Sequence, residues 1–447
     1  MGTSLYRQIR RYIRAAYANA DALLRAGEKE CIIGSDALTK VDIAHLPANR
    51  PTEDHYASAK CLTSDAYLFG IDHPRVFDGH AGTSCSRHVA MQLYDYIGAS
   101  VLPKHIVNDL PLENRIKWLF SSFADFNGYD REEHWNNVQK FHRAFRQNTS
   151  ITTVRKSLET AFCALDNDFL TEALVVQDGR LSRNRVKVVT SGSCGIVVHL
   201  RYDHVHIANV GDSAAVLGVC NHGHVSARRL SRPHCVDNAD ETKRVYAAHP
   251  VAETGTVLQG GRLFGELYPL RAFGDARYKW PTDIQDRVLR PFGEVPPVGI
   301  RTPPYLNAEP EVLYHRLTSN DQFLVLASDG LWEWLDPDTV VRLVFDHQLG
   351  AQTLTPYQPP QGSLLSQVNE ELKQRAVGES KKPLDSNSAT HVLRHALGGC
   401  SGGLEHRYKR LSSLLHLPTG IARNYRDDIT IIVIHFNQDY FKMRQFE

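Results

Sequence analysis

The sequence predicts an α+β domain in which two sheets carry helices on their outer faces. Three observations predict it. A hairpin of β-branched runs, Gly195 to Leu200 and His204 to Val210, turns through Arg201-Tyr202-Asp203. Two stretches, from Cys85 to about Leu102 and over 153–176, repeat apolar residues at helical spacing. Strand pairs and helix pairs then alternate along the chain, as a layered fold requires.

Taken in order, residues 1–28 read as helix and 30–60 as mostly loop, ending in Asn49-Arg50-Pro51-Thr52-Glu53-Asp54. Tyr67 to Gly70 starts a strand that resumes at Val76. The helix after it runs through Val89, Leu93 and Ile97. Residues 105–150 are polar and aromatic with weak periodicity, and read as helical excursions. Val154, Leu158, Phe162, Leu165 and Leu170 define the next helix, and Arg185 to Ser191 reads as a strand. After the hairpin, Gly211-Asp212-Ser213 leads into a strand from Ala214 to Val219. Asp321 to Ala327 ends at Ser328-Asp329-Gly330, and Ile429 to Phe436 follows Arg426-Asp427-Asp428. Residues 350–390 are rich in Gln, Pro and Ser and read as an inserted loop. No internal repeat is present. The acidic motifs run from residue 53 to 428, so one domain over 29–447, with insertions near 105–150 and 350–415, keeps the set together.

Composition narrows the function classes. The 447 residues are 42% apolar and 23% charged, ordinary for a soluble globular chain. A net charge of +1 gives no reason to expect nucleic acid or an acidic membrane as partner. No window approaches the ~18 apolar residues of a membrane span. The eight cysteines are scattered without a CxxC pair, which argues against a disulfide framework or zinc site and for reduced thiols inside a cell. Arg7, Arg10, Arg11 and Arg14 precede the first acidic residue, Asp21, beside Leu5, Ile9, Tyr12, Ile13 and Ala16 at helical spacing. A basic amphipathic helix of this kind is either a mitochondrial transit peptide or a solvated first helix of the domain.

The chemistry lies in carboxylates at strand–loop boundaries: Glu53 and Asp54, Asp78 with Gly79, Asp212, Asp329 with Gly330, and Asp427 with Asp428. Singly, an Asp-Gly is most simply a turn. Together, at one rim of a sheet, these side chains would repel one another unless cations neutralised them. Oxygen-only ligands select Mg²⁺ or Mn²⁺. Two such ions ~4 Å apart can bridge a water, lower its pKa and clamp a phosphoryl group for in-line attack. In Val76-Phe77-Asp78-Gly79-His80-Ala81-Gly82, the glycine admits a backbone carbonyl to the ion, and His80 becomes a candidate proton donor to a leaving alkoxide.

These residues resemble the type 2C, metal-dependent protein serine/threonine phosphatases. The matching pieces are Glu53-Asp54, Asp78-Gly79-His80-Ala81-Gly82, Ser191-Gly192-Ser193, Gly211-Asp212-Ser213, Arg271-Ala272-Phe273-Gly274-Asp275, Ala327-Ser328-Asp329-Gly330-Leu331-Trp332 and Arg426-Asp427-Asp428-Ile429-Thr430. They stand in the family's order over about residues 45–436. Leu46-Pro47-Ala48-Asn49, Thr302-Pro303-Pro304-Tyr305-Leu306, Ala308-Glu309-Pro310-Glu311-Val312 and Tyr425 to Val433 resemble its mitochondrial pyruvate dehydrogenase phosphatase branch. The resemblance implies a four-layer α-β-β-α sandwich, two antiparallel sheets flanked by helices. It implies two Mg²⁺ or Mn²⁺ ions with a weaker third, and phosphoserine on the E1α subunit of the pyruvate dehydrogenase complex as substrate, in the mitochondrial matrix. The lipoyl domain of E2 and a regulatory subunit are further implied partners. Asp78 would bridge both ions, the Gly79 carbonyl would bind the first, and Asp329 and Asp427 would hold the second. Asp212 matches the third-ion aspartate, Glu53 and Asp54 would orient waters on the ions, and His80 would protonate the leaving serine.

The chain departs from the family in two places. Asn49 stands where many members have a phosphate-gripping arginine, a replacement shared by the pyruvate dehydrogenase branch. The second departure is Ile71-Asp72-His73-Pro74-Arg75, interposed before Val76-Phe77 where the family runs one unbroken apolar strand into Asp-Gly-His. Proline and buried charges are costly in a central strand. The segment either loops out or displaces Asp78, and the second outcome would make the chain a catalytically impaired, phosphatase-like binding protein. A different two-metal hydrolase, such as a phosphodiesterase, would call for clustered histidines, and the sequence has none.

Overall fold

The computed structural model describes residues 17–49, 51–62, 64–73, 82–101, 110–122, 130–147, 153–350, 359, 361–377, 384–400, 403–418 and 420–444. They fall into two compact units. One comprises Met1–Arg50, Val216–Arg229 and Thr318–Glu447, the other Pro51–Ala215 and Leu230–Leu317. Each is built on an antiparallel sheet flanked by helices, as the sequence predicts.

In the first unit the strand order is Lys29–Ile32, Leu38–Leu46, Ile429–Phe436, Asp321–Ala327, Ala214–Asn221, His224–Arg229. Ile429–Phe436 reads ITIIVIHF, and all eight residues are buried. Burying an aliphatic side chain is worth ~1.5–3 kcal/mol, so this run belongs at the centre of the sheet. Helices Pro337–Gln348 and Ser388–Gly398 cover it, joining Val340, Val344, Val392 and Leu397 to Val325 and Val433 in one core. Asn387 caps the second helix: its Oδ1 accepts from Thr390 N at 3.0 Å, while Nδ2 donates to Lys29 O at 2.8 Å. Residues 17–25 are helical and belong to the same core through Ala20 and Leu24, with Tyr17 stacked on Tyr408. The basic positions Arg7, Arg10, Arg11 and Arg14 lie outside the described residues.

Leu38–Leu46 corrects the expectation of a loop over 30–60. Lys40, Asp42 and His45 break its apolar pattern, yet the strand is central. Asp42 is fully buried and accepts from His435 Nε2 and Ser388 N, both at 2.9 Å, with Lys40 Nζ at 3.0 Å. Burial alone would raise its pKa. The His435 hydrogen bond and the neighbouring charges overcome that and hold the carboxyl down at about 2. The segment expected as an inserted loop over 350–390 contains the helix Leu365–Val377.

In the second unit the order is Glu311–Arg316, His204–Val210, Gly192–Arg201, Ala66–His73, His55–Cys61, Ile116–Ser121, with Phe273–Gly274 paired to Gly192–Arg201. Helices Ser84–Ser100 and Val154–Glu172 pack on this sheet through Val89, Leu93, Leu158, Phe162 and Leu165. Ile116–Ser121 is an edge strand inside the region read as helical excursions, which also holds the helix Arg131–Gln147. Arg185 to Ser191, read as a strand, lies instead in the helix Arg183–Thr190. Its valines mimic a strand, but Val186 and Val189, three apart, are both buried in the core, so helical periodicity wins. No helix among the described residues is long and apolar enough to cross a membrane.

Four helices of this unit line a polar cavity of about 210 Å³ whose wall includes His88, Gln92, Glu133, Glu172 and Arg185. Burial, and then repulsion from Glu133, pushes the Glu172 carboxyl up to about 7 from 4.5. A raised folded-state pKa means that the stabilisation is complete below the unfolded value of 4.5 and is lost as pH rises through about 7. Glu172→Gln removes this dependence. Its melting temperature should exceed the wild-type value by more at pH 8 than at pH 5, and an equal difference at both would refute the assignment.

Candidate active site

Strands Asp321–Ala327 and Ile429–Phe436 are antiparallel with Ala327 opposite Ile431, so the end of one lies beside the start of the other. Asp329 and Asp427 therefore emerge at one rim. Ser328 N donates to Thr430 O at 3.1 Å and Thr430 N to Ser328 Oγ at 3.0 Å, which ties the two strand ends together. Gly330 closes the junction: a Cβ there would stand 2.1 Å from the Asp428 carbonyl oxygen. Only glycine admits that approach. Burial, followed by the negative charge of Asp329, pushes the Asp427 carboxyl upward; Arg423, 3.6 Å away, opposes the shift. Two carboxylates held against mutual repulsion form an oxygen-only donor pair, which fits a hard divalent cation.

The neighbours of Asp427 face elsewhere. Asp428 is 2% exposed, and its Oδ1 accepts from the backbone N–H groups of Ala48 and Asn49, the latter at 3.2 Å. Arg426 donates to Pro47 O at 2.8 Å. Asp428, which the sequence places among the converging acids, turns onto the backbone of Ala48 and Asn49 instead. Nothing in the sequence signals this, because its partners lie 380 and 379 positions away.

The second unit carries the remaining described candidates. Asp54 is buried and Glu53 half-buried just before the strand His55–Cys61, and the Glu53 carbonyl accepts from Ser86 Oγ at 3.0 Å. Asp212 is buried directly after Gly211, which has φ +100 and packs so tightly on Cys194 that a Cβ would lie 2.2 Å from Sγ. Gly211 N donates to His234 Nδ1 at 3.0 Å, fixing the turn that presents Asp212. Asp78, Gly79 and His80 lie outside the described residues. Among the described residues, no group of three or more His, Cys, Asp or Glu side chains is placed to hold a metal ion.

Two further motifs build the support for this region. Ser191 Oγ accepts from Cys85 N at 2.9 Å, anchoring the first turn of the helix that follows Asp78-Gly79-His80. The Asp275 carboxyl lies against Gly192, where a Cβ would fall 1.9 Å from Oδ2, and burial pushes it up to about 7. The interposed segment partly joins the sheet: Asp72 pairs with His55 and Gly195, and His73 with Cys194. Asp72 is 1% exposed and burial raises its pKa well above the carboxylate range, the cost expected of a charge in a central strand. Pro74 and Arg75 lie outside the described residues.

Comparisons with known proteins identify the family. A family model described as protein phosphatase 2C matches residues 99–376. The human protein named pyruvate dehydrogenase (acetyl-transferring)-phosphatase 1, mitochondrial, is 38% identical over 423 residues, covering 89% of this chain and 77% of that one. Human phosphatase 2 of the same name is 34% identical, covering 90% and 79%. A protein phosphatase 2C homolog of Schizosaccharomyces pombe is 30% identical, covering 93% and 84%. None of this supports reading the chain as an impaired binding protein. Carboxylates at paired strand ends, a matched family model over more than half the chain and relatives aligned along most of it lead to one conclusion: the chain belongs to the protein phosphatase 2C family of metal-dependent protein serine/threonine phosphatases.

Proposed function

We propose that this phosphatase removes phosphate from phosphoserine on the E1α subunit of the pyruvate dehydrogenase complex, in the mitochondrial matrix. The observation that carries the reading is 38% identity, over most of both chains, to proteins named as mitochondrial pyruvate dehydrogenase phosphatases. The basic stretch holding Arg7, Arg10, Arg11 and Arg14 supports the address. Residues 29–447 act as one catalytic domain with insertions near 105–150 and 350–415. The lipoyl domain of E2 and a regulatory subunit are its further partners.

Asp78, the Gly79 carbonyl, Asp329 and Asp427 would hold two Mg²⁺ or Mn²⁺ ions, and Asp212 a weaker third. When bound, the ions supply Lewis acidity toward water and the phosphoryl oxygens. Glu53 and Asp54 orient water for in-line attack on phosphorus. As the bond from phosphorus to the serine oxygen breaks, His80 gives that oxygen a proton. The test is phosphate release from phosphorylated E1α by the purified protein with Mn²⁺ and with a chelator. Release with Mn²⁺ alone is expected. Folded protein that releases none, while dephosphorylating another phosphoserine protein, overturns the substrate; inactivity on both overturns the enzyme reading.

A further inference from the structure

We propose that Asp428 and Arg426 are positioning residues for Asp427, holding its carboxylate toward Asp329 by gripping the Pro47–Asn49 turn from both sides. This rests on the reading of Asp427 as a cation ligand. Arg426 and Asp428 both turn their side chains onto the Pro47–Asn49 segment, whereas the Asp427 carboxylate meets Arg423 at 3.6 Å. The grip has three parts. Asp428 Oδ1 accepts from Ala48 N and Asn49 N, a buried acceptor shared by two consecutive amides. Arg426 Nη2 donates to Pro47 O at 2.8 Å and Nη1 to the Asp427 carbonyl at 3.3 Å, so one guanidinium joins the turn to the backbone it steadies. Asp428 N donates to Asp427 Oδ1 at 2.8 Å, which fixes the carboxylate's own rotation. Both clamping side chains are at least nine-tenths buried, at 2% and 7% exposure, so water does not compete for these bonds.

The role needs an acceptor at 428, not a negative charge. That separates it from metal ligation, which needs the charge. Outer groups that orient a ligand typically govern 10–100-fold in metal affinity. Asp428→Ala should therefore weaken Mn²⁺ binding, measured by calorimetry and by the rise in melting temperature with Mn²⁺, by ~10–100-fold. Asp428→Asn keeps the acceptor and should restore most of the affinity. At saturating Mn²⁺, Asp428→Ala should regain turnover, because the ligand at 427 is still present. Arg426→Gln gives a second, independent readout. Removing a positive charge near a cation site tightens binding if charge alone matters, whereas loss of the grip weakens it.

Weaker Mn²⁺ binding by Asp428→Ala with rescue by Asp428→Asn supports the proposal. Unchanged binding by Asp428→Ala, or an Asp428→Asn variant as weak as the alanine one, overturns it. Should Asp428→Ala fail to fold, tighter or unchanged binding by Arg426→Gln overturns it, and weaker binding supports it. Asp427→Asn is the reference: wild-type Mn²⁺ affinity there would defeat the ligand reading itself, a result distinct from failure of the clamp.

Discussion

Asp329→Asn should lower phosphate release by at least about 100-fold while raising the stability of the metal-free protein. The first effect follows from the loss of a charged ligand, since changes to groups that merely orient a ligand already cost 10–100-fold. The second follows from the charge on Asp427. Its carboxyl is pushed upward by burial and by Asp329, so ionising it opposes folding at neutral pH. Neutralising Asp329 removes the repulsive part of that opposition. The melting temperature without metal should therefore exceed the wild-type value at pH 7.5, and the gain should shrink as the pH falls and the Asp427 carboxyl protonates. Added Mn²⁺, which raises the wild-type melting temperature by binding the folded state, should do little for the variant. A variant stabilised by Mn²⁺ as strongly as the wild type would mean that Asp329 holds no cation.

Asp329 and Asp427 are visible in the sequence because each stands two residues from a strongly apolar run, Asp321–Ala327 or Ile429–Phe436, and such runs have few alternatives to a buried strand. Leu38–Leu46 was not visible. Its Lys40, Asp42 and His45 become tolerable only when His435, nearly 400 positions away, reaches Asp42. A local pattern holds no trace of that partner. Arg183–Thr190 failed differently: a short valine-rich run fits either period, and burial of Val186 and Val189 against the helical core decides it. Asp428 resisted for the same reason as Asp42. A carboxylate that serves two backbone amides looks, in sequence, like one that serves a metal. Asp78, Gly79 and His80 lie outside the described residues, and the case for them stays with the motif.

Gly330→Ala should lose activity without removing any ligand. The methyl group would lie 2.1 Å from the Asp428 carbonyl oxygen and 3.3 Å from Ile429 Cγ1. The first contact is with backbone and cannot be relieved by a rotamer change, so the helix Asp329–Trp332 or the segment entering Ile429–Phe436 must move. Overpacking of this kind typically costs ~1–3 kcal/mol, or only about 1–3 °C of melting temperature in a chain of 447 residues. The larger effect is geometric. Asp329 and Asp427 sit on the two segments that are forced apart, and a shift of ~1 Å at a reacting centre can cost ~100-fold in rate. Both carboxylates remain, so their repulsion is eased by separation and not by loss of charge. Raising Mn²⁺ should recover some binding but little turnover, unlike Asp428→Ala, where turnover should return. A Gly330→Ala enzyme with wild-type activity would show that the rim tolerates separation, and the pairing of Asp329 with Asp427 would then have no catalytic meaning.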